Sequence, residues 1–187
     1  MPEDEFSWDR PLQSYLATWR GVIGSPREFF AVDRSGQGLQ APIGFLLVTL
    51  AIGGVGLAVF GWGFVALPRF LIGGFLRVVL GAVVFWLVAS QVLGGKGDYE
   101  STLRVLAYAS AVSVLIFLPG IRLLAGLYGL FLVIVGLESA HRFDPARAVL
   151  TVALSLFSIF VVVHALGLDH VLRPMHPAWL GHHHFHG

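Results

Sequence analysis

Cysteine is missing from this chain altogether. That excludes disulfides, thiolate metal sites, iron–sulfur clusters and cysteine nucleophiles together. Charge is scarce as well. Asp, Glu, Lys and Arg make up 12% of the 187 residues, half of the roughly 25% typical of a soluble domain. The formal net charge of +1 gives no electrostatic case for a nucleic-acid partner. Lysine is nearly absent, since of the 12 basic residues only Lys96 is a lysine. Together with abundant Gly, Ala, Leu and Val, this usage points to a GC-rich bacterial genome. The opening "MPEDEFSWDR" is acidic and carries no apolar core behind a basic segment, so it does not read as a cleavable signal peptide.

Apolar side chains dominate instead. They make up 56% of the chain, and the mean hydropathy is +0.79. Several runs approach the ~20 residues needed to cross a bilayer, and they do not alternate polar and apolar faces as helices of a soluble bundle would. The expected class is an all-α membrane protein, a bundle of five transmembrane helices with an N-terminal amphipathic interfacial helix. The expected spans are 41–67, ended by Pro68; 69–93; 99–118; 121–141 after the turn at Pro119–Gly120; and 145–167, with Asp144 as N-cap and Pro145 at the first helical position. The chain divides into a cytoplasmic N-terminal region, 1–40, a membrane domain, 41–167, and a His-rich tail, 168–187.

Within 1–40, Leu12, Tyr15, Leu16, Trp19, Val22 and Ile23 recur on one helical face. Such a helix either lies among lipid headgroups or packs on the protein's own cytoplasmic face. "SPREFF" then predicts a second, short helix, with Ser25 and Glu28 forming a capping box. With the N-terminus inside, Arg10, Arg20, Arg27, Arg34, Lys96, Arg104, Arg142 and Arg147 fall on the cytoplasmic side, against Arg69, Arg77, Arg122 and Arg173 outside. The excess favours a cytoplasmic N-terminus and a periplasmic C-terminus in a bacterial inner membrane. Small residues four apart (Thr49 and Gly53, Ala107 and Ala111, Ala125 and Gly129, Gly136 and Ala140) let helix backbones approach closely, within the chain or against another membrane protein or a second copy.

The polar stretch "LGGKGDYESTLRVLAYAS", 93–110, invites comparison with phosphate-binding loops. A Walker loop needs G-x-x-x-x-G-K-[ST], but Ser90 stands at its first position and Gly97 at its last, and Glu100 replaces the third glycine of the dinucleotide pattern. The glycines more simply allow a tight turn, after which Asp98 and Glu100 sit favourably at a helix N-terminus.

This stretch, with "WRGVIGSPREFF" before it and "LPG" and "GLYGLFLVIVGLESAHRFDPARAV" after it, resembles the YIP family, the Rab/Ypt-GTPase-interacting membrane proteins and their bacterial relatives, over about residues 19–165. The positions matching the family pattern are Trp19, Pro26, Phe29, Phe30, Gly94, Gly95, Gly97, Tyr99, Leu103, Arg104, Tyr108, Pro119 and Gly136. The resemblance implies a cytoplasmic N-terminus, five helices and a non-enzymatic role. Eukaryotic members bind Rab GTPases. The short N-terminal region here departs from their pattern, which weakens the carry-over of a Rab-type GTPase partner.

Glu138 and His141 form an E-x-x-H, but a di-iron bundle needs two such pairs and two more glutamates. Glu138 is instead expected to pair with Arg104 at the cytoplasmic end of adjacent spans. The tail holds His176, His182, His183, His184 and His186, a composition able to bind Zn, Cu or Ni adventitiously. No other cofactor is expected, and no catalytic set emerges. The expected function is a non-enzymatic protein of the lipid bilayer that organises or scaffolds membrane partners through helix packing. The alternatives are an accessory subunit of a large, energy-transducing membrane complex, and a metal-binding or transport-related protein using the tail.

Overall fold

The computed structural model describes residues 5–34, 36–64, 66–115, 118 and 120–167. Among them the structure is all helical, with seven α-helices and no strand. Two short helices, α1 (Pro11–Gly24) and α2 (Pro26–Ala31), precede the apolar part. The long helices are α3 (Gln40–Leu57), α4 (Ala66–Leu87), α6 (Arg122–His141) and α7 (Pro145–Ala165). The 11-residue α5 (Tyr99–Ala109) lies between α4 and α6. From α3 onward helices adjacent in sequence pack side by side, α3 also meets α5 and α4 meets α7, while α2 packs on α6. Four helical segments are long and apolar enough to cross a membrane: Gln40–Phe60, Leu67–Val92, Arg122–His141 and Pro145–Ala165. The chain is a membrane protein.

Several expectations need correction. The expected third span, 99–118, is not one helix. After Ala109 the chain tightens into a 3-10 segment, Ser110–Leu115. The Ser110 hydroxyl donates to the Ala107 carbonyl at 2.6 Å. The Trp19 indole N–H donates to the Ala111 carbonyl at 3.1 Å, engaging it from outside the helix. Polar competition of this kind favours the shorter 3-10 pattern at a helix end. Pro68 does not end the first span. Helix α3 stops at Leu57 and passes through a π turn, Ala58–Trp62, to Gly63 at φ 72°. Pro68 instead sits in the first turn of α4, where its missing N–H costs no hydrogen bond. Ser25 does precede α2, but its side chain makes no cap bond, so the capping box does not form. Ser25 N–H bonds back to the Gly21 carbonyl at 3.0 Å, joining α1 and α2 into a tight pair.

The α1–α2 pair packs on the protein. Ser14, Tyr15, Thr18 and Val22 of α1 and Phe29 and Phe30 of α2 are buried. The Tyr15 ring stacks on Phe45 with centroids 5.1 Å apart. Tyr128 donates to the Ile23 carbonyl at 2.6 Å, and Ser139 donates to the Phe30 carbonyl. Tyr128 and Ser139 are eleven positions apart, so the pair lies along about 16 Å of α6. The Tyr15 hydroxyl accepts from Thr49 at 3.3 Å. Burial still pushes its pKa up, against that bond. Leu12 and Leu16, on the same apolar face of the sequence pattern, remain 72% and 42% exposed.

The small-residue pairs serve internal packing. Thr49, Gly53, Ala107, Ala111, Ala125 and Gly136 are all buried. A Cβ on Gly136 would run into Val105, and one on Gly129 would stand 3.0 Å from Val112. These contacts bring α6 close against α5 and the 3-10 segment.

Candidate functional site

One end of the bundle carries a polar cavity of about 620 Å³ between α2, the 94–98 loop, α5 and the end of α6. Its floor is a buried charged cluster. The Glu5 carboxylate lies 2.9 Å from Arg34 Nε and 3.5 Å from Arg104 Nη1, with the three side chains between 5% and 10% exposed. Tyr108 donates its hydroxyl to Glu5 at 3.1 Å. Arg104 also donates through Nη2 to the Gly38 carbonyl at 2.7 Å and to Glu100 at 3.2 Å. Arg34 bonds the Phe29 carbonyl, and its guanidinium lies 4.3 Å over the Phe29 ring. That ring in turn meets Tyr108 edge-on at 5.0 Å. One carboxylate thus joins the N-terminal segment, the stretch that follows α2 and the core of α5.

The expected Arg104–Glu138 pair does not form. The carboxylates on Arg104 are Glu5 and Glu100. Arg104 projects from the middle of α5 toward the N-terminal segment, and Glu5 fills the position assigned to Glu138.

The glycine loop has a structural explanation residue by residue. Gly94 sits at φ +69°, a conformation glycine adopts without Cβ strain. Gly95 and Gly97 press against His141: a Cβ on Gly95 would stand 2.6 Å from His141 Nδ1, and one on Gly97 2.6 Å from the Ala140 carbonyl oxygen. Gly95 N–H bonds the Ala89 carbonyl at 2.8 Å, and Lys96 N–H bonds the His141 carbonyl at 3.3 Å. The loop is strapped across the end of α6, and its N–H groups at 95 and 96 are used within the protein. Beneath it, Thr102 Oγ1 lies 2.9 Å from the Asp98 carbonyl and 2.9 Å from His141 Nε2. The single hydroxyl proton goes to the carbonyl, so the imidazole donates through Nε2. Phe143 stacks on the same ring at 5.4 Å. Asp98 caps α5, accepting Ser101 N–H at 2.8 Å. That bond holds its carboxyl below the ordinary aspartate range.

The motif residues therefore converge in part. Phe30, Gly97, Arg104, Tyr108 and Gly136 line the cavity, and Phe29 packs on Tyr108. Gly94 and Gly95 shape the loop, and Leu103 is buried in α5. Three positions stand apart from the cavity and join elements. Pro26 opens α2, Trp19 bonds the 3-10 segment, and Tyr99 donates to the Val79 carbonyl at 3.2 Å. Pro119 and the tail histidines His176, His182, His183, His184 and His186 lie outside the described residues. Among the described residues no three of His, Asp and Glu group as a metal site would need.

Glu5, Arg34, Thr102 and Arg142 were missed as site residues by the motif reading. Glu5 was legible only as acidic, and Arg34 only as one cytoplasmic basic residue among eight. Arg142 follows α6 in the left-handed region, at φ 54° and ψ 44°, and no sequence pattern marks that.

A family model described as the Yip1 domain matches residues 20–166, from within α1 to the end of α7. No match is found among curated proteins or among solved structures. The matched stretch takes in the α2 residues, the glycine loop, α5 and α6 that build the cavity. By this match over most of its length, the chain belongs to the Yip1 domain family.

Proposed function

We propose that this chain is a non-enzymatic integral membrane protein that organises or scaffolds membrane partners through helix packing. The observation that carries the reading is how its surfaces are divided. The charged groups of the cavity floor hold one another, and the small-residue pairs are spent on internal contacts. In contrast, α4 and α7 are the least enclosed spans, each with 22% of its apolar window buried. On α4, a Cβ at Gly73 or Gly81 would meet nothing, so a foreign helix can approach there closely.

The polar end, with Arg34, Lys96, Arg104 and Arg142, is the cytoplasmic one by the positive-inside rule, in a bacterial inner membrane. Residues 1–40 then form a cytoplasmic region whose α1 leaves Leu12 and Leu16 toward the lipid interface, and the tail is periplasmic. The partners are membrane proteins or a second copy, and no resident cofactor is required.

The test is gentle extraction of the untagged protein, native-gel separation, and mass spectrometry of whatever migrates with it. A homo-oligomer or small assembly that Gly81→Leu disperses is expected. Stoichiometric migration with a large energy-transducing complex would replace this reading by the accessory-subunit one. A monomer indifferent to Gly81→Leu would refute scaffolding through α4.

A further inference from the structure

Beyond scaffolding, we infer that the polar cavity is a binding site for a phosphate-bearing anion, held by Lys96 and Arg142. The inference rests on the cavity alone and stands whichever assembly the native gel reveals.

The cavity holds both engaged and unengaged charge. Seven charged residues line the cavity: Asp33, Asp98 and Glu100, against Arg34, Lys96, Arg104 and Arg142. All three acids already have partners. Glu100 holds Arg104, Asp98 caps α5 through Ser101 N–H, and Asp33 has an interaction of its own. On the basic side, Arg34 and Arg104 are tied to Glu5 in the floor. Lys96 and Arg142 differ. Their side chains are exposed at the rim and make no hydrogen bond or ion pair among the described residues. With Glu5 in the floor, four carboxylates meet four basic side chains, and the two charged side chains left without a partner among the described residues, Lys96 and Arg142, are both cationic.

Geometry supports the same ligand. The bond from Lys96 N–H to the His141 carbonyl sets the backbone of Lys96 against the residue preceding Arg142, although 46 positions separate the two basic residues in sequence. Arg142 stands in the left-handed conformation at the end of α6, a place that glycine or asparagine normally takes. A long basic side chain kept there despite Cβ strain is the kind of backbone outlier that collects at functional sites. A guanidinium offers parallel N–H donors to two phosphate oxygens, and an ammonium adds a compact charge beside it. The volume, about 620 Å³, takes more than a bare phosphate and suits a phosphate ester. The loop contributes the Lys96 side chain and not its backbone N–H groups at 95 and 96, which are already bonded.

A lipid headgroup and a soluble phosphate share this chemistry, and the experiment separates them. The full chain, purified in a neutral detergent, is titrated by calorimetry with dihexanoyl phosphatidylglycerol, with inorganic phosphate, and with dihexanoyl phosphatidylcholine as the zwitterionic reference. The anionic lipid is expected to bind and the reference not to. Each rim charge contributes about fivefold, so Lys96→Gln/Arg142→Gln should weaken binding roughly thirtyfold. Arg142→Gly, which removes the charge and relieves the backbone, should weaken it by about fivefold while leaving the melting temperature unchanged or raised. Inorganic phosphate binding without the lipid would support the site and assign it to a soluble anion, and binding of both would support it with the phosphate group itself as the determinant. Binding of neither anion, or a double variant that melts like the parent and binds as tightly, would overturn the proposal.

Discussion

Replacing Glu5 by glutamine is the sharpest probe of the buried cluster. The substitution keeps size and leaves an amide able to accept from Tyr108, but removes the one carboxylate shared by Arg34 and Arg104. At 2.9 and 3.5 Å and an effective dielectric near 20, the two attractions are about 6 and about 5 kcal/mol before desolvation is counted. Desolvation offsets most of this in the intact cluster. Removing one partner exposes the cost, and truncating a buried ion pair typically destabilises by about 3–5 kcal/mol. Arg104 keeps Glu100 at 3.2 Å, so the loss falls mainly on Arg34, whose guanidinium is left with the Phe29 carbonyl and ring. We expect Glu5→Gln to lower stability by about 3–5 kcal/mol. Unfolding in mixed detergent micelles, followed by tryptophan fluorescence, measures it. Glu5→Gln/Arg34→Met should cost less than the sum of the single changes by more than about 1 kcal/mol, because it removes both charges. A single variant within about 0.5 kcal/mol of the parent, the range of an ordinary surface change, would refute the assignment of Glu5 as the buried counterion.

Two further predictions concern packing and pH. Gly136→Ala drives a methyl into Val105 and should destabilise by about 1–3 kcal/mol, as overpacking does. Val105→Ala added to it should restore part of that loss, and the same unfolding assay reads both. Asp98→Ala removes the cap of α5 and should cost about 0.5–2 kcal/mol. The folded Asp98 carboxyl titrates below its unfolded value, so its stabilisation is present above the unfolded pKa and is lost as pH falls through the folded one. Asp98→Asn, still able to cap, should therefore show a flatter acid limb than the parent. An unchanged limb would mean that the Ser101 bond does not favour the ionised form.

Hydropathy made much of this fold legible. The segments around α4, α6 and α7 were readable to within about three residues, because an apolar run bounded by Pro, Asp or Arg leaves few choices. Asp98 at the start of α5 was also readable, since a short acidic residue before a periodic run is a local signal. The break after Ala109 was not, because part of what holds it is Trp19, 92 residues from Ala111. The partner of Arg104 was missed for a similar reason. Glu138 was placed there by topology, while Glu5 sits in an acidic stretch whose composition reads as solvated. Burial of a charge by a distant segment has no periodicity to betray it. The loop glycines were legible as a turn, but the pressure of His141 and Ala140 on Gly95 and Gly97 belongs to tertiary structure.

The long-range ties of the N-terminal segment also set an order of events during synthesis. Its hydrogen bonds to Tyr108, Tyr128 and Ser139 join residues 103, 105 and 109 positions apart. At about 5–20 residues per second, Phe29, Phe30 and Arg34 leave the ribosome about 5–20 s before their counterparts on α5 and α6 exist. During that interval Arg34 has Glu5 but neither residue has the walls that bury them. Docking of α1 and α2 is therefore a late, closing step, possible only after α5 and α6 have been placed. Truncation or misinsertion beyond Ala109 would leave two phenylalanines and a charged pair on view, a mark by which quality control could tell an unfinished bundle from a finished one.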